Sequence, residues 1–199
     1  MNHSKALRQL NELSEHNSDP RLAAEGWSED WQILIATLLS ARTRDTVTVK
    51  VATALFEKYK TLKEISELNL EALEQEIKSV NFYRNKARFV LGCVKGILEH
   101  FSEGLPCDAS ELVKLTGVGR KTANVFIASM GGDAIGVDTH VGRVARKLGW
   151  TTHTDPDKVE KDLCELFPQS SWRSVNYILV KFGQSNRGKK EDLILEKIK

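Results

Sequence analysis

Lys121 and Asp138, seventeen residues apart, are the two side chains of this 199-residue chain best suited to covalent chemistry. An amine attacks carbon only when neutral, and at an ordinary lysine pKa of about 10.4 roughly 0.04% is neutral at pH 7. Lys121 follows Gly117-Val118-Gly119 and adjoins Arg120. A helix N-terminus, a neighbouring cation and partial desolvation all disfavour the ammonium, and lowering its pKa to about 8 takes roughly 3.3 kcal/mol of differential stabilisation. Asp138 stands where a helix running through Arg146 takes its N-cap, a position that keeps a carboxylate ionised and able to stabilise a sugar cation. Taken singly, Lys121 reads equally well as a phosphate contact and Asp138 as a plain cap. Neither plain reading accounts for the pair.

The turn ahead of Lys121 has glycine at both ends, so its backbone N–H groups can approach an oxyanion, and a helix starting at Arg120 adds its positive end. Nucleotide-loop readings fail. A dinucleotide fingerprint needs a third glycine where Thr122 stands, and a Walker loop needs Gly-Lys where Arg120 separates Gly119 from Lys121. What remains is a helix ending near Leu115, a tight turn and a second helix, an arrangement that suits a nucleic-acid backbone. From the glycines alone, a turn that only packs two helices would look the same.

The elements that must hold these residues read as helices. Ala87, Val90, Leu91, Val94, Ile97, Leu98 and Phe101 form one apolar stripe, and Trp31, Leu34, Ile35, Leu38 and Leu39 another. Helix starts are predicted at Ser28, Asn69, Ser110 and Asp155, the last with Pro156 in the first turn. A strand signal is confined to Ala134-Ile135-Gly136-Val137, too short and isolated to build a sheet. The class is therefore all-α, with about ten helices joined by short connections and no repeats or low-complexity linker.

Composition sets bounds without choosing a partner. Hydrophobic content of 41%, charged content of 28% and a net charge of +2 are ordinary for a globular chain. The charges are nevertheless clustered: Arg42, Arg44 and Lys50, then Arg84, Lys86 and Arg88, then Lys114, Arg120 and Lys121, then Arg143, Arg146 and Lys147 are basic, while Glu64, Glu67, Glu71, Glu74 and Glu76 are acidic. Most such clusters are solvated helix faces, but Arg143, Arg146 and Lys147 align on one helical side. Cys93, Cys107 and Cys164 are scattered, with no C-x-x-C pair, which fits a reducing compartment and argues against a metal site built from sulfur. The apolar run from Ile33 to Leu39 is too short to span a bilayer, and a soluble cytoplasmic protein is expected.

Four segments together closely resemble the helix-hairpin-helix DNA glycosylase superfamily, and within it the endonuclease III group, over most of the chain. Leu115-Thr116-Gly117-Val118-Gly119-Arg120-Lys121-Thr122-Ala123-Asn124-Val125 is similar to the family hairpin. Val137-Asp138-Thr139-His140-Val141-Gly142-Arg143-Val144 is similar to the segment bearing the family's aspartate. Leu38-Leu39-Ser40-Ala41-Arg42-Thr43-Arg44-Asp45 and Val80-Asn81-Phe82-Tyr83-Arg84-Asn85-Lys86-Ala87 are similar to two loops that meet DNA.

This resemblance implies two helical lobes around a DNA-binding cleft, a central one over 24–133 and a second combining 1–23 with 134–199, with Lys121 and Asp138 facing each other across it. It implies an enzyme that extrudes a damaged pyrimidine, attacks the sugar C1′ with Lys121 as nucleophile and Asp138 as electrostatic partner, and cleaves the abasic strand by β-elimination. Phe82 would be the wedge and Arg42 would face the orphaned base, with Gly117, Val118, Gly119, Arg120 and Arg143 as further DNA contacts. His140 would make only a helix-surface or capping contact. The partner would be duplex DNA with a damaged base or an abasic site, and the protein a monomer. Hairpin carbonyls of the family can also hold a monovalent cation, on which this sequence is silent.

Two departures from the family pattern matter. Members commonly end in four cysteines holding a [4Fe–4S] cluster, whereas Gly183-Gln184-Ser185-Asn186-Arg187-Gly188-Lys189-Lys190 has none, so no cluster, no metal and no other cofactor is expected. A terminal helix over Glu191 to Lys199 would cover the surface instead. Arg42 replaces a glutamine common in endonuclease III and Phe82 a leucine, and an arginine suits a guanine edge, which suggests lesions opposite guanine. Uracil or mismatched-thymine glycosylase, 8-oxoguanine glycosylase, and a module that binds damaged DNA without cutting it are the alternatives. The last requires neither Lys121 nor Asp138.

Overall fold

The computed structural model describes residues 2–17, 21–101 and 103–199, and they form twelve α-helices with one 3₁₀ turn. They divide into two compact units, one holding 21–130 and the other 2–17 together with 131–199.

In the contiguous unit, α2 (Asp30–Ser40) is apolar nearly all round and forms the centre. Trp31, Leu34, Ile35, Ala36, Thr37, Leu38 and Leu39 are all buried, as a helix must be when no face is polar. It packs on α3 (Asp45–Lys58), α6 (Tyr83–His100) and α8 (Arg120–Ser129). The short helices α4 (Leu62–Ser66) and α5 (Leu70–Glu76) lie against α6. Thr61 and Glu64 form a capping box on α4, and the Asn69 side chain caps α5. The predicted start at Asn69 holds. Ser28 falls one residue before the actual cap, Glu29, and Ser110 lies inside α7 (Ala109–Leu112), because Asp108 reaches the Ser110 N–H and caps first.

In this unit α6 meets the link between α7 (Ala109–Leu112) and α8 through glycines. A Cβ added at Gly92 of α6 would lie 2.8 Å from the Thr116 side chain, and one at Gly96 would lie 2.8 Å from Leu115. The chain between α7 and α8 therefore sits directly on α6. Gly117 completes the contact: its φ of +80° and a hypothetical Cβ 2.5 Å from Phe89 Cβ each exclude a side chain.

The second unit is built on α11 (Trp172–Ser185), against which α9 (Thr139–Leu148) and α1 (His3–Glu15) pack. Gly183 permits the α9 contact, since a Cβ there would lie 2.7 Å from His140 Cβ. Asp155 caps α10 (Pro156–Leu166) with Pro156 in its first turn, as predicted. The terminal helix α12 runs Lys189–Ile198, starting two residues before the predicted Glu191. Gln9, fully buried on α1, accepts from the Trp150 indole at 2.8 Å and donates to the Ile198 carbonyl at 3.2 Å, which ties α12 to the N-terminal helix. Residues 134–137 form no strand. Ala134, Ile135 and Val137 are buried core of this unit in an extended link, so their apolar run reflects burial rather than pairing. No described helix is long and apolar enough to cross a membrane.

Candidate active site

Lys121 is the second residue of α8, directly behind the Gly117–Gly119 turn. Gly119 is the N-cap and has no side chain with which to cap, so the first N–H groups of α8 have no side-chain acceptor from the cap. Space beyond Gly119 is open, with nothing within 4 Å of where a Cβ would be. Val118 is buried, 5% exposed, and its N–H donates to the Leu115 carbonyl at 3.1 Å, so the predicted Val118 contact has no free donor, while Gly117, Gly119 and Arg120 are at the surface. Lys121 itself is half-buried, and its ammonium makes no hydrogen bond or ion pair among the described residues.

Asp138 belongs to the other unit. It caps α9 with one oxygen, Oδ1 accepting from the His140 and Val141 N–H groups at 2.8 Å each. Oδ2 has no partner among the described residues, so the carboxylate is oriented by the helix while one oxygen stays uncommitted. His140 packs against Gly183, and its Nδ1 lies 3.5 Å from Arg143 Nη2, which makes it a packing residue of α9.

Arg42 and Phe82 come together in the contiguous unit. Arg42 Cζ stands 5.9 Å from the Phe82 ring centroid, and both side chains are exposed, Phe82 by 59%. Among the described residues they are the two non-glycine positions with positive φ, +55° and +58°. Ala41 at φ −52°, ψ 118°, Arg42 at positive φ and a Thr43 N–H donating to the Ser40 carbonyl at 2.9 Å make a type II turn, with arginine where glycine is usual.

Arg143 is aligned with Lys147 as its spacing implies, but both turn to one carboxylate. Arg143 Nε donates to both oxygens of Glu191 at 3.1 and 3.2 Å, and its Nη2 to Glu191 Oε2 at 2.7 Å and to the Gly183 carbonyl at 2.9 Å. Lys147 meets Glu191 Oε1 at 2.7 Å, and Arg146 leans on the His153 carbonyl. Glu191 is 1% exposed. Burial alone would raise its carboxyl pKa, but hydrogen bonds from Arg143 and Lys147 outweigh that and hold it below its ordinary value.

No role for Thr43, Asn81 or the Glu191 carboxylate is legible in the sequence, where Lys86 counts only among a basic cluster. Lys86 is the most telling. It is 4% exposed, donates to the Leu39 carbonyl at 2.7 Å and to Thr43 Oγ1 at 2.8 Å, and burial lowers its pKa to about 8. Its position one turn before Val90 on the apolar stripe is the signal that could have found it.

The donor set for an iron–sulfur cluster is missing. Such a cluster takes four thiolates, and the chain has three cysteines: Cys93 in the core of α6, Cys107 exposed, and Cys164 on α10. Burial raises the Cys93 thiol to about 12, which makes it inert. Among the described residues no group of three or more His, Cys, Asp or Glu is placed to hold a metal ion.

The chain belongs to the HhH-GPD superfamily of base excision DNA repair proteins, whose family model matches residues 35–169. Within it the chain is endonuclease III-like. It is similar to endonuclease III of Bacillus subtilis (strain 168), 41% identical over 159 residues, covering 79% of this chain and 73% of that protein. Endonuclease III of Synechocystis sp. is 39% identical over 156 residues, 77% and 71% of the two chains. A solved structure of a trapped endonuclease III–DNA covalent intermediate, an estranged-adenine complex, superposes with a TM-score of 0.86 at 35% identity and covers 95% of this chain and 90% of that one.

Proposed function

We propose that this chain is a DNA glycosylase with abasic-site lyase activity that removes oxidised pyrimidines from duplex DNA. The observation that carries this reading is the half-buried, unpartnered ammonium of Lys121 in the first turn of α8, behind a turn open to a phosphate. Binding alone would not need it. The trapped covalent DNA complex solved for an endonuclease III of the same fold supports the reading.

In this mechanism the neutral Lys121 amine adds to C1′ as the glycosidic bond breaks, and the base leaves with that bond's electron pair and a proton. The Asp138 carboxylate stabilises the positive charge that develops on the sugar. Ring opening gives a Schiff base, loss of a C2′ proton expels the 3′ phosphate, and water releases Lys121. Backbone N–H groups at Gly117, Gly119 and Arg120 grip a phosphate, while the Val118 N–H is held by the Leu115 carbonyl at 3.1 Å and only shapes the turn. Phe82 enters the stack left by the extruded nucleotide and Arg42 faces the orphaned base, with a preference for guanine. Arg143 has Nη1 left for a phosphate, since Glu191 and Gly183 hold its other nitrogens. We read the fold as independent of an iron–sulfur cluster, with α12 pinned by Glu191 at one end and by the Ile198 carbonyl at the other.

Borohydride trapping on a duplex with one abasic site tests the reading. The wild-type chain forms a covalent protein–DNA adduct, and Lys121→Gln forms none while still shifting the duplex on a gel. An adduct that persists in Lys121→Gln refutes the assignment. Release rates from duplexes carrying thymine glycol, uracil, mismatched thymine or 8-oxoguanine, opposite adenine or guanine, then fix the substrate.

A further inference from the structure

Arg42 and Phe82 lie on different segments, and each is held in a backbone conformation that disfavours its own side chain. Such conformations persist only where surrounding contacts impose them. Those contacts converge on one ammonium. The Lys86 ammonium donates twice: to the Leu39 carbonyl, one of the last of α2, and to Thr43 Oγ1. The same Thr43 oxygen accepts the Asn81 N–H at 3.1 Å, and the Asn81 side chain donates to the Arg42 carbonyl. From the other side, the Lys86 N–H donates to the Phe82 carbonyl at 3.1 Å. One residue thus bonds the Phe82 backbone with its own backbone, and reaches with its side chain the turn that carries Arg42.

We infer that Lys86 is a positioning residue, which fixes the Ser40–Thr43 turn against the N-terminus of α6 so that Arg42 and Phe82 are presented as one preformed pair. The inference rests on the DNA-facing roles proposed above for those two residues. A cation also suits this place electrostatically, since the C-terminal carbonyls of α2 carry partial negative charge. A buried lysine is poorly explained by stability alone, because an apolar side chain of similar length would fill the site without desolvating a charge. What it supplies is a tetrahedral donor able to bond two acceptors at once.

Lys86→Met keeps the length and removes the donors, and Lys86→Arg returns a charged donor. The first readout needs no DNA: hydrogen exchange at the Thr43 and Asn81 amides, which close the network, should quicken roughly tenfold in Lys86→Met, the factor set by letting one left-handed non-glycine residue relax. Exchange in the α8 helix should not change. The second readout is 2-aminopurine opposite a tetrahydrofuran abasic analogue, whose fluorescence rises when side chains enter the gap. For Lys86→Met the titration midpoint should move to roughly tenfold higher protein concentration, and Lys86→Arg should recover most of it. Thr43→Val, which removes the shared acceptor, should reproduce both changes if Lys86→Met does not fold. Wild-type exchange rates at Thr43 and Asn81 in a folded Lys86→Met or Thr43→Val protein would overturn the inference. A wild-type protein that forms no adduct would instead count against the proposed function, and the exchange measurement would still decide the role of Lys86.

Discussion

Asp138 combines two roles that substitution can separate. Its Oδ1 takes two N–H groups of α9, at 2.8 Å each, and its Oδ2 has no partner among the described residues. Asparagine caps a helix about as well as aspartate and keeps an acceptor oxygen, so Asp138→Asn should cost only the helix-dipole contribution of the charge, about 0.5 kcal/mol. Alanine removes both capping bonds and should cost about 1–2 kcal/mol. For a chain of this size that is roughly 3–6 °C in Tm for alanine, against about 2 °C or less for asparagine. Catalysis should sort the variants differently. A carboxylate about 4 Å from a sugar cation, at an effective dielectric constant of about 20, contributes about 4 kcal/mol, or roughly a thousandfold in rate. Single-turnover release of thymine glycol at saturating enzyme should therefore fall by about that factor in both variants, while gel-shift affinity for an abasic-analogue duplex is retained. If Asp138→Asn released base within about tenfold of wild type while Asp138→Ala lost far more, Asp138 would be a cap and its electrostatic role would be refuted.

Two further substitutions probe the parts that hold the site. Glu191→Ala leaves Arg143 and Lys147 without their buried carboxylate and should lower stability by about 3 kcal/mol, read by urea titration. Because the folded Glu191 pKa lies below its unfolded value, the pair's contribution is complete above the unfolded carboxyl range near about 4.3 and is lost as pH falls through the lower folded value. Acid unfolding of Glu191→Ala should accordingly lack that step, seen by circular dichroism. At the hairpin, Gly117→Ala forces a left-handed alanine onto Phe89 and should cost about 2–4 kcal/mol. Gly119→Ala meets nothing within 4 Å and should cost under about 1 kcal/mol, yet it should weaken DNA binding by placing a methyl group where the phosphate approaches, measured by fluorescence anisotropy.

The hairpin glycines and two of the four predicted caps were legible in the sequence because each acts over a few residues, whereas Glu29 and Asp108 took the places expected of Ser28 and Ser110. Asn69 and Asp155 cap where their side chains predict, and the glycines around Val118 mark a turn wherever the chain goes next. What stayed hidden depends on distant partners. The spacing of Arg143 and Lys147 gave their common helical side, but not that Glu191, 48 residues beyond Arg143, neutralises it. Lys86 counts as one more surface charge until the Leu39 carbonyl and Thr43 are brought to it. The positive φ of Arg42 and Phe82 has no local signature, since neither is a residue that seeks that conformation. Residues 134–137 carry a pattern with two physical origins, because a buried link and a short strand need the same apolar side chains, and its brevity was reason enough to expect no sheet there.

The bond pairing Gln9 with Trp150 and Ile198 sets an order on synthesis. The unit spanning 21–130 is contiguous in sequence, whereas α1 leaves the ribosome ahead of it and its partners α11 and α12 after it. Throughout that interval Ala6, Leu10 and Leu13 present an uncovered apolar stripe. A pause in translation past residue 130 would therefore leave α1 exposed on the nascent chain, and a chaperone that binds apolar helices would find its target there.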